Sequence, residues 1–152
     1  MGPTSPETYC DVFERFGREG VRYVVVSGVA VVLRGHVRPV EDLDVVVDPA
    51  HGESQRALHT LALLGFVPSV PLPLSMLTVL RMFDHGRREV DLFVRYCVPF
   101  ADLWADSELV GVGGCTARVI SLEHLLRAKR ANGRPHDLLD IAALLAPEAR
   151  GS

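Results

Sequence analysis

From Tyr23 to Asp48 the chain reads YVVVSGVAVVLRGHVRPVEDLDVVVD, two β-branched apolar runs around a short mixed segment. The first run, Tyr23 to about Ser27, predicts a strand that meets Ser27-Gly28 and passes into a short helix from Gly28 to Leu33, stopped by Gly35. The second run, Glu41 to Asp48, predicts a strand closed by Pro49. Side chains alternate faces along a strand, so Asp42 and Asp44 point the same way, about 7 Å apart along the chain, while Leu43, Val45 and Val47 point into a core. Two carboxylates on one face of an otherwise apolar strand repel each other and resist burial. A hard divalent cation is the commonest remedy.

The same reading extends along the rest of the chain. Thr4 or Ser5 is placed to cap a first helix with Pro6 at its first position; Tyr9, Val12, Phe13 and Phe16 keep helical spacing, and Gly17 and Gly20 end it. A helix is predicted over Glu53 to Leu64, with Leu58, Leu61 and Leu64 as its apolar stripe and Gly65 just past its end. Pro71 and Pro73 mark a loop. Leu77 to Phe83 and Glu89 to Arg95 then form a hairpin around Asp84-His85-Gly86-Arg87. Its second arm sets Glu89, Asp91 and Phe93 on one face against Val90, Leu92 and Val94 on the other. Pro99 to Ala105 reads as a helical turn. A bend at Gly111, Gly113 and Gly114 follows, and then a strand near Ala117 to Ile120. One helix runs from Ser121 to about Ala131, breaks at Asn132-Gly133, and is followed by a last helix from Pro135 that ends by Pro147. The order α-β-α-β-α-β-β-β-α-α makes an α+β (α/β-like) domain, with helices packed on a sheet and two C-terminal helices.

Composition narrows the setting. With 152 residues the chain is expected to form a single domain, 1–152, with its core at about 21–146. A net charge of −3 gives no footprint for wrapping a nucleic-acid duplex, although a local basic patch can hold one end of an RNA. Cys10, Cys97 and Cys115 are few, odd in number and far apart, which argues against a disulfide framework or zinc site and for a reduced cytoplasm. No signal peptide and no bilayer-spanning apolar run is apparent, so no membrane partner is expected.

Candidate chemistry rests on three carboxylates. If the strand of Asp91 pairs beside that of Asp44, then Asp42, Asp44 and Asp91 converge on one sheet face. Such oxygens hold Mg²⁺ together with substrate phosphates, and two ions ~3.5–4 Å apart clamp an in-line phosphoryl displacement. Ser27-Gly28, where strand feeds helix, presents backbone amides to phosphate. Read alone, Gly28 equally well lets a helix pack close to the sheet.

Ser27-Gly28-x-Ala30, then Gly35, Arg38 and Asp42-x-Asp44, resembles the polymerase-β-type nucleotidyltransferase superfamily. More closely, it resembles the stand-alone bacterial AbiEii-like nucleotidyltransferases of toxin type. Glu89-Val90-Asp91 continues the pattern as a third acidic element, and Ser121-Leu122-Glu123 leading to Lys129, Arg134, Asp137 and Asp140 completes it. Two positions differ from the family's usual pattern: Ser27-Gly28 stands where two glycines are common, and Val40 where a hydroxyl residue is. The resemblance implies a mixed central sheet and transfer of a nucleoside monophosphate from a triphosphate to a hydroxyl, with two Mg²⁺ ions or Mn²⁺ in their place. Asp42 and Asp44 would ligate both ions, and Asp91 would ligate one and help deprotonate the acceptor. Ser27, Gly28, Arg38, Lys129, Arg134 and Asp137 would serve the nucleotide.

Lys129 falls on the inward face of its helix with Leu122, Leu125 and Leu126, so it needs an anion or must lay its stem over apolar surface. Arg134, in the bend, suits bidentate phosphate contact, and Asp137 is placed to orient either cation. The acceptor is left open between a transfer RNA end, a protein hydroxyl and a small molecule such as an antibiotic. Loops at Val70 to Ser75 and Ala101 to Glu108, a second subunit, or a partner such as an antitoxin would supply its site. The alternative is a degenerate nucleotide-binding fold or the partner half of a two-component system. A two-metal phosphohydrolase ranks lowest, because no histidine accompanies the aspartates at ligand spacing.

Overall fold

The computed structural model describes residues 5–146. A 3₁₀ turn at Pro6–Tyr9 leads into α1 (Cys10–Glu19), which ends at Gly20 in the left-handed conformation, φ 70°. Strand β1 (Tyr23–Val26) is buried along its whole length and passes directly into α2 (Ser27–Leu33). Next come β2 (Asp42–Val47), α3 (His51–Leu63), the two-residue β3 (Val67–Pro68) and the hairpin of β4 (Val79–Phe83) and β5 (Glu89–Phe93). A short α4 (Phe100–Asp106), a second hairpin of β6 (Glu108–Val112) and β7 (Cys115–Val119), and the helices α5 (Leu122–Asn132) and α6 (Pro135–Leu145) complete the order. The Thr4 cap and the closure at Pro147 lie outside the described residues.

All seven strands form one sheet in the order β3-β4-β5-β2-β1-β7-β6. It is mixed, as expected: β2 pairs antiparallel with β1 and parallel with β5, and β1 runs parallel to β7. The expected pairing of the two acidic strands is present, with Asp42 opposite Glu89 and Asp44 opposite Asp91. Leu43, Val45, Val47, Val90 and Leu92 are fully buried on the other face. Helices α1 and α3 pack against each other, and α5 packs on α2 and α6. Ser121, where the sequence starts this helix, caps α5, its hydroxyl accepting from the His124 amide at 3.1 Å.

Three details differ from the sequence reading. Residues 108–112, which include Gly111 of the expected bend and for which no strand was expected, form strand β6, because pairing with β7 overrides the weak β preference of a glycine-bearing segment. In the 84–87 turn the left-handed residue is Arg87, φ 66°, and not Gly86. The cysteines do not all stay free: Cys10 and Cys115 form a disulfide with a Cα–Cα separation of 5.9 Å, leaving Cys97 as the free thiol. Spacing of 105 residues hides this pair in the sequence, and only the packing of α1 against β7 brings the two together. Among the described residues no helix is long and apolar enough to cross a membrane.

Candidate active site

The end of β1, the start of β2 and the middle of β5 meet on one sheet face, and there the acidic residues gather. Asp42, Asp44 and Asp91 each offer a carboxylate oxygen, and these lie within 4.8 Å of one another. They line a pocket of about 680 Å³ whose walls include Ser27, Arg81, Phe93, Arg95, Tyr96, Cys97 and Arg134.

Burial makes this cluster electrostatically unusual. Burial first, and then the neighbouring charges of Asp42 and Asp91, push the Asp44 carboxyl up to about 8, with the Ser27 hydroxyl opposing the rise. One Asp44 oxygen, Oδ1, is fully buried with no hydrogen-bond partner. Desolvation likewise raises Asp91, against the pull of Arg81. Desolvation and the Asp91 charge push Glu89 up to about 7. Arg81 lies directly across β4–β5 from Asp91 and bridges it to Glu89, with Nε 3.2 Å from Asp91 Oδ1 and 2.9 Å from Glu89 Oε2. An all-oxygen donor set, like charges forced together and an unpartnered buried oxygen fit a hard divalent cation such as Mg²⁺ or Mn²⁺.

Ser27 has φ 58°, the left-handed region that a residue with a Cβ enters at a cost of roughly 1–2 kcal/mol. Gly28, expected to let a phosphate or a packing helix approach the backbone, has no positive φ. Its missing side chain instead faces the guanidinium of Arg38.

The other expected nucleotide residues divide into two groups. Arg134 lines the pocket, and its Nε sits 2.7 Å from Asp137 Oδ2. Lys129 is 5% exposed, and its ammonium lies 3.1 Å from Asp137 Oδ1 and 2.9 Å from Asp140 Oδ2. Its anions are therefore protein carboxylates. Burial alone would raise Asp137, but hydrogen bonds from Arg134 and Lys129 prevail and hold it at about 2. Arg38 is not among the residues lining the pocket and grips Asp140 with two parallel bonds of 3.1 Å. Val40 is 2% exposed and packs in the core.

Neither loop expected to form an acceptor site lines this pocket. Leu74 and Ser75 border a smaller cavity of about 290 Å³ that shares Arg95 with it. Residues 101–106 belong to α4, whose Trp104 faces a separate groove lined by α1 and the β6–β7 hairpin. Arg81 was not anticipated, yet the hairpin register places it: a turn that sets Phe83 opposite Glu89 sets Arg81 opposite Asp91.

The sheet order and the acidic face define a nucleotidyltransferase fold, and solved structures bear this out. The lincomycin-bound lincosamide antibiotic adenylyltransferase LnuA is similar over 94% of this chain and 98% of its own, with a TM-score of 0.70 at 18% identity. ANT(2")-Ia, in complex with adenylyl-2"-tobramycin, is similar over 97% of this chain and 94% of its own, with a TM-score of 0.66 at 14% identity. No protein-family model matches the sequence, and no curated protein matches it significantly.

Proposed function

We propose that the protein transfers a nucleoside monophosphate from a nucleoside triphosphate to a hydroxyl acceptor, the acceptor oxygen bonding to the α-phosphorus as pyrophosphate leaves, with Asp42, Asp44 and Asp91 holding Mg²⁺, two ions in all, or Mn²⁺. The supporting observation is the gathering of those three carboxylates at a pocket, with one Asp44 oxygen buried and unpartnered. Divalent ions supply Lewis-acid charge to the reacting phosphate. The chain's own residues do the rest. Ser27 and Arg134 on the pocket lining, with Gly28 beside Ser27 at the β1–α2 turn, position the triphosphate, and Asp137, itself held by Lys129, fixes Arg134. Asp91 accepts the acceptor's proton at its carboxylate, and Arg81 balances that carboxylate between turnovers.

The acceptor class stays open between an RNA end, a protein hydroxyl and a small molecule. The two adenylyltransferase structures make lincomycin and tobramycin reasonable first compounds to try. The toxin-type resemblance extends the reading to a two-component module with an antitoxin-like partner, in the cytoplasm where nucleoside triphosphates are supplied. Residues 1–152 act in this reading as one minimal domain.

The test is incubation with α-labelled nucleoside triphosphates, Mg²⁺ and a panel of tRNA, protein and antibiotic acceptors. Label should move to one acceptor class, and Asp44→Asn should reduce that transfer by at least about 10²-fold. Failure to bind any triphosphate, together with unchanged behaviour of Asp44→Asn, removes the proposal.

A further inference from the structure

At the Ser27–Gly28 turn the Arg38 guanidinium, which is not among the residues lining the pocket, faces Gly28 across the space a methyl group would fill. A Cβ at Gly28 would stand 3.4 Å from Nη2 and 3.6 Å from Nη1. Nε and Nη2 of Arg38 are both committed to Asp140, at 3.1 Å each, and Nη1 donates to the Pro39 carbonyl at 3.3 Å. Asp140 is in turn anchored: it is 2% exposed, and Lys129 Nζ and His36 Nε2 lie 2.9 and 3.6 Å from its carboxylate. Helix α6 thus reaches back 102 residues to the segment just before the catalytic strand.

The turn so contacted is the one that needs support. Ser27 sits in the left-handed conformation, follows the residue paired with Asp44, and lines the pocket together with it. A non-glycine residue persists there only when its surroundings over-determine it. We propose that Asp140 and Arg38 are positioning residues for the three-carboxylate site: Asp140 holds the Arg38 guanidinium against Gly28, and this brace keeps Ser27 left-handed beside Asp44. Arg38 then acts through the backbone, and the nucleotide does not touch it. The brace needs the proposed function only for its catalytic readout.

The experiment is an epistasis measurement of Arg38→Met in two backgrounds, the natural Ser27 and Ser27→Gly, because glycine takes φ near 60° without strain. Amide hydrogen exchange at Ser27–Gly28, read by NMR in metal-free protein, reports the turn directly. Arg38→Met should speed exchange about tenfold, the equivalent of ~1.4 kcal/mol, in the Ser27 background and by less than about threefold with Ser27→Gly. Equal acceleration in both backgrounds, or none in either, overturns the brace. If Arg38→Met does not fold, Asp140→Asn is read in the same way. In the transfer assay the brace predicts that Arg38→Met lowers kcat/KM less in the Ser27→Gly background than in the natural one; an equal fall in both backgrounds would make Arg38 a direct nucleotide ligand and overturn it. Wild-type protein that transfers nothing while the exchange epistasis holds would remove the function and support the brace. A transferring enzyme with equal acceleration in both backgrounds would do the reverse.

Discussion

Ser27 carries a conformational cost that glycine would avoid, and it keeps a hydroxyl beside Asp44 that glycine would lose. Ser27→Gly is therefore expected to raise folding stability by about 1 kcal/mol, seen as a higher urea midpoint at unchanged slope. A lowered midpoint would mean that the hydroxyl contact outweighs the strain. Asp44 makes a second, pH-linked prediction. Its carboxyl is raised from 3.8 to about 8 in the folded protein, so the folded state favours the protonated form more than the unfolded chain does. The resulting stability is complete below about pH 4 and is lost as pH rises through about 8. In metal-free protein the Tm should fall across that window, and both Asp44→Asn and added Mg²⁺ should flatten the decline. A Tm that climbs between those values contradicts the burial of this group.

Between elements, α5 and α6 are joined by alternating charge, Arg38–Asp140–Lys129–Asp137–Arg134, with the three middle members buried. Removing one member leaves its partners charged in a poor solvent. Lys129→Met should therefore cost about 3–5 kcal/mol by denaturant unfolding, although it adds apolar surface. The sequence put Lys129 on the inward helix face, in need of an anion or of apolar surface for its stem, and that much was legible. Which anion it meets depends on how the α5–α6 bend folds back, and side-chain spacing within α5 does not carry that information. The same limit explains β6, whose exposed Leu109 and Gly111 give no local strand signal until β7 pairs with them. The acidic face was easier to read, because alternation fixes which side Asp42, Asp44 and Asp91 occupy once the strands are recognised.

Across the whole molecule, the Cys10–Cys115 bond closes a loop of 105 residues around most of the sheet. In the chain-entropy account a loop of this size stabilises by about 4–5 kcal/mol, so Cys10→Ser or full reduction should lower the Tm substantially. An unchanged melt after reduction would show that packing of α1 against β7 suffices alone.

The parallel pairing of β2 with β5 also sets a parity between residues 44 and 91. Chain added within residues 69–78 or at the 84–87 turn leaves that parity untouched, provided the strands keep their partners. A single residue added between Glu89 and Val90 would reverse it, sending the carboxylate into the apolar layer and Val90 out to the pocket. Any relative that preserves this chemistry can therefore vary freely in loop length, but along β5 it can change length only in steps of two.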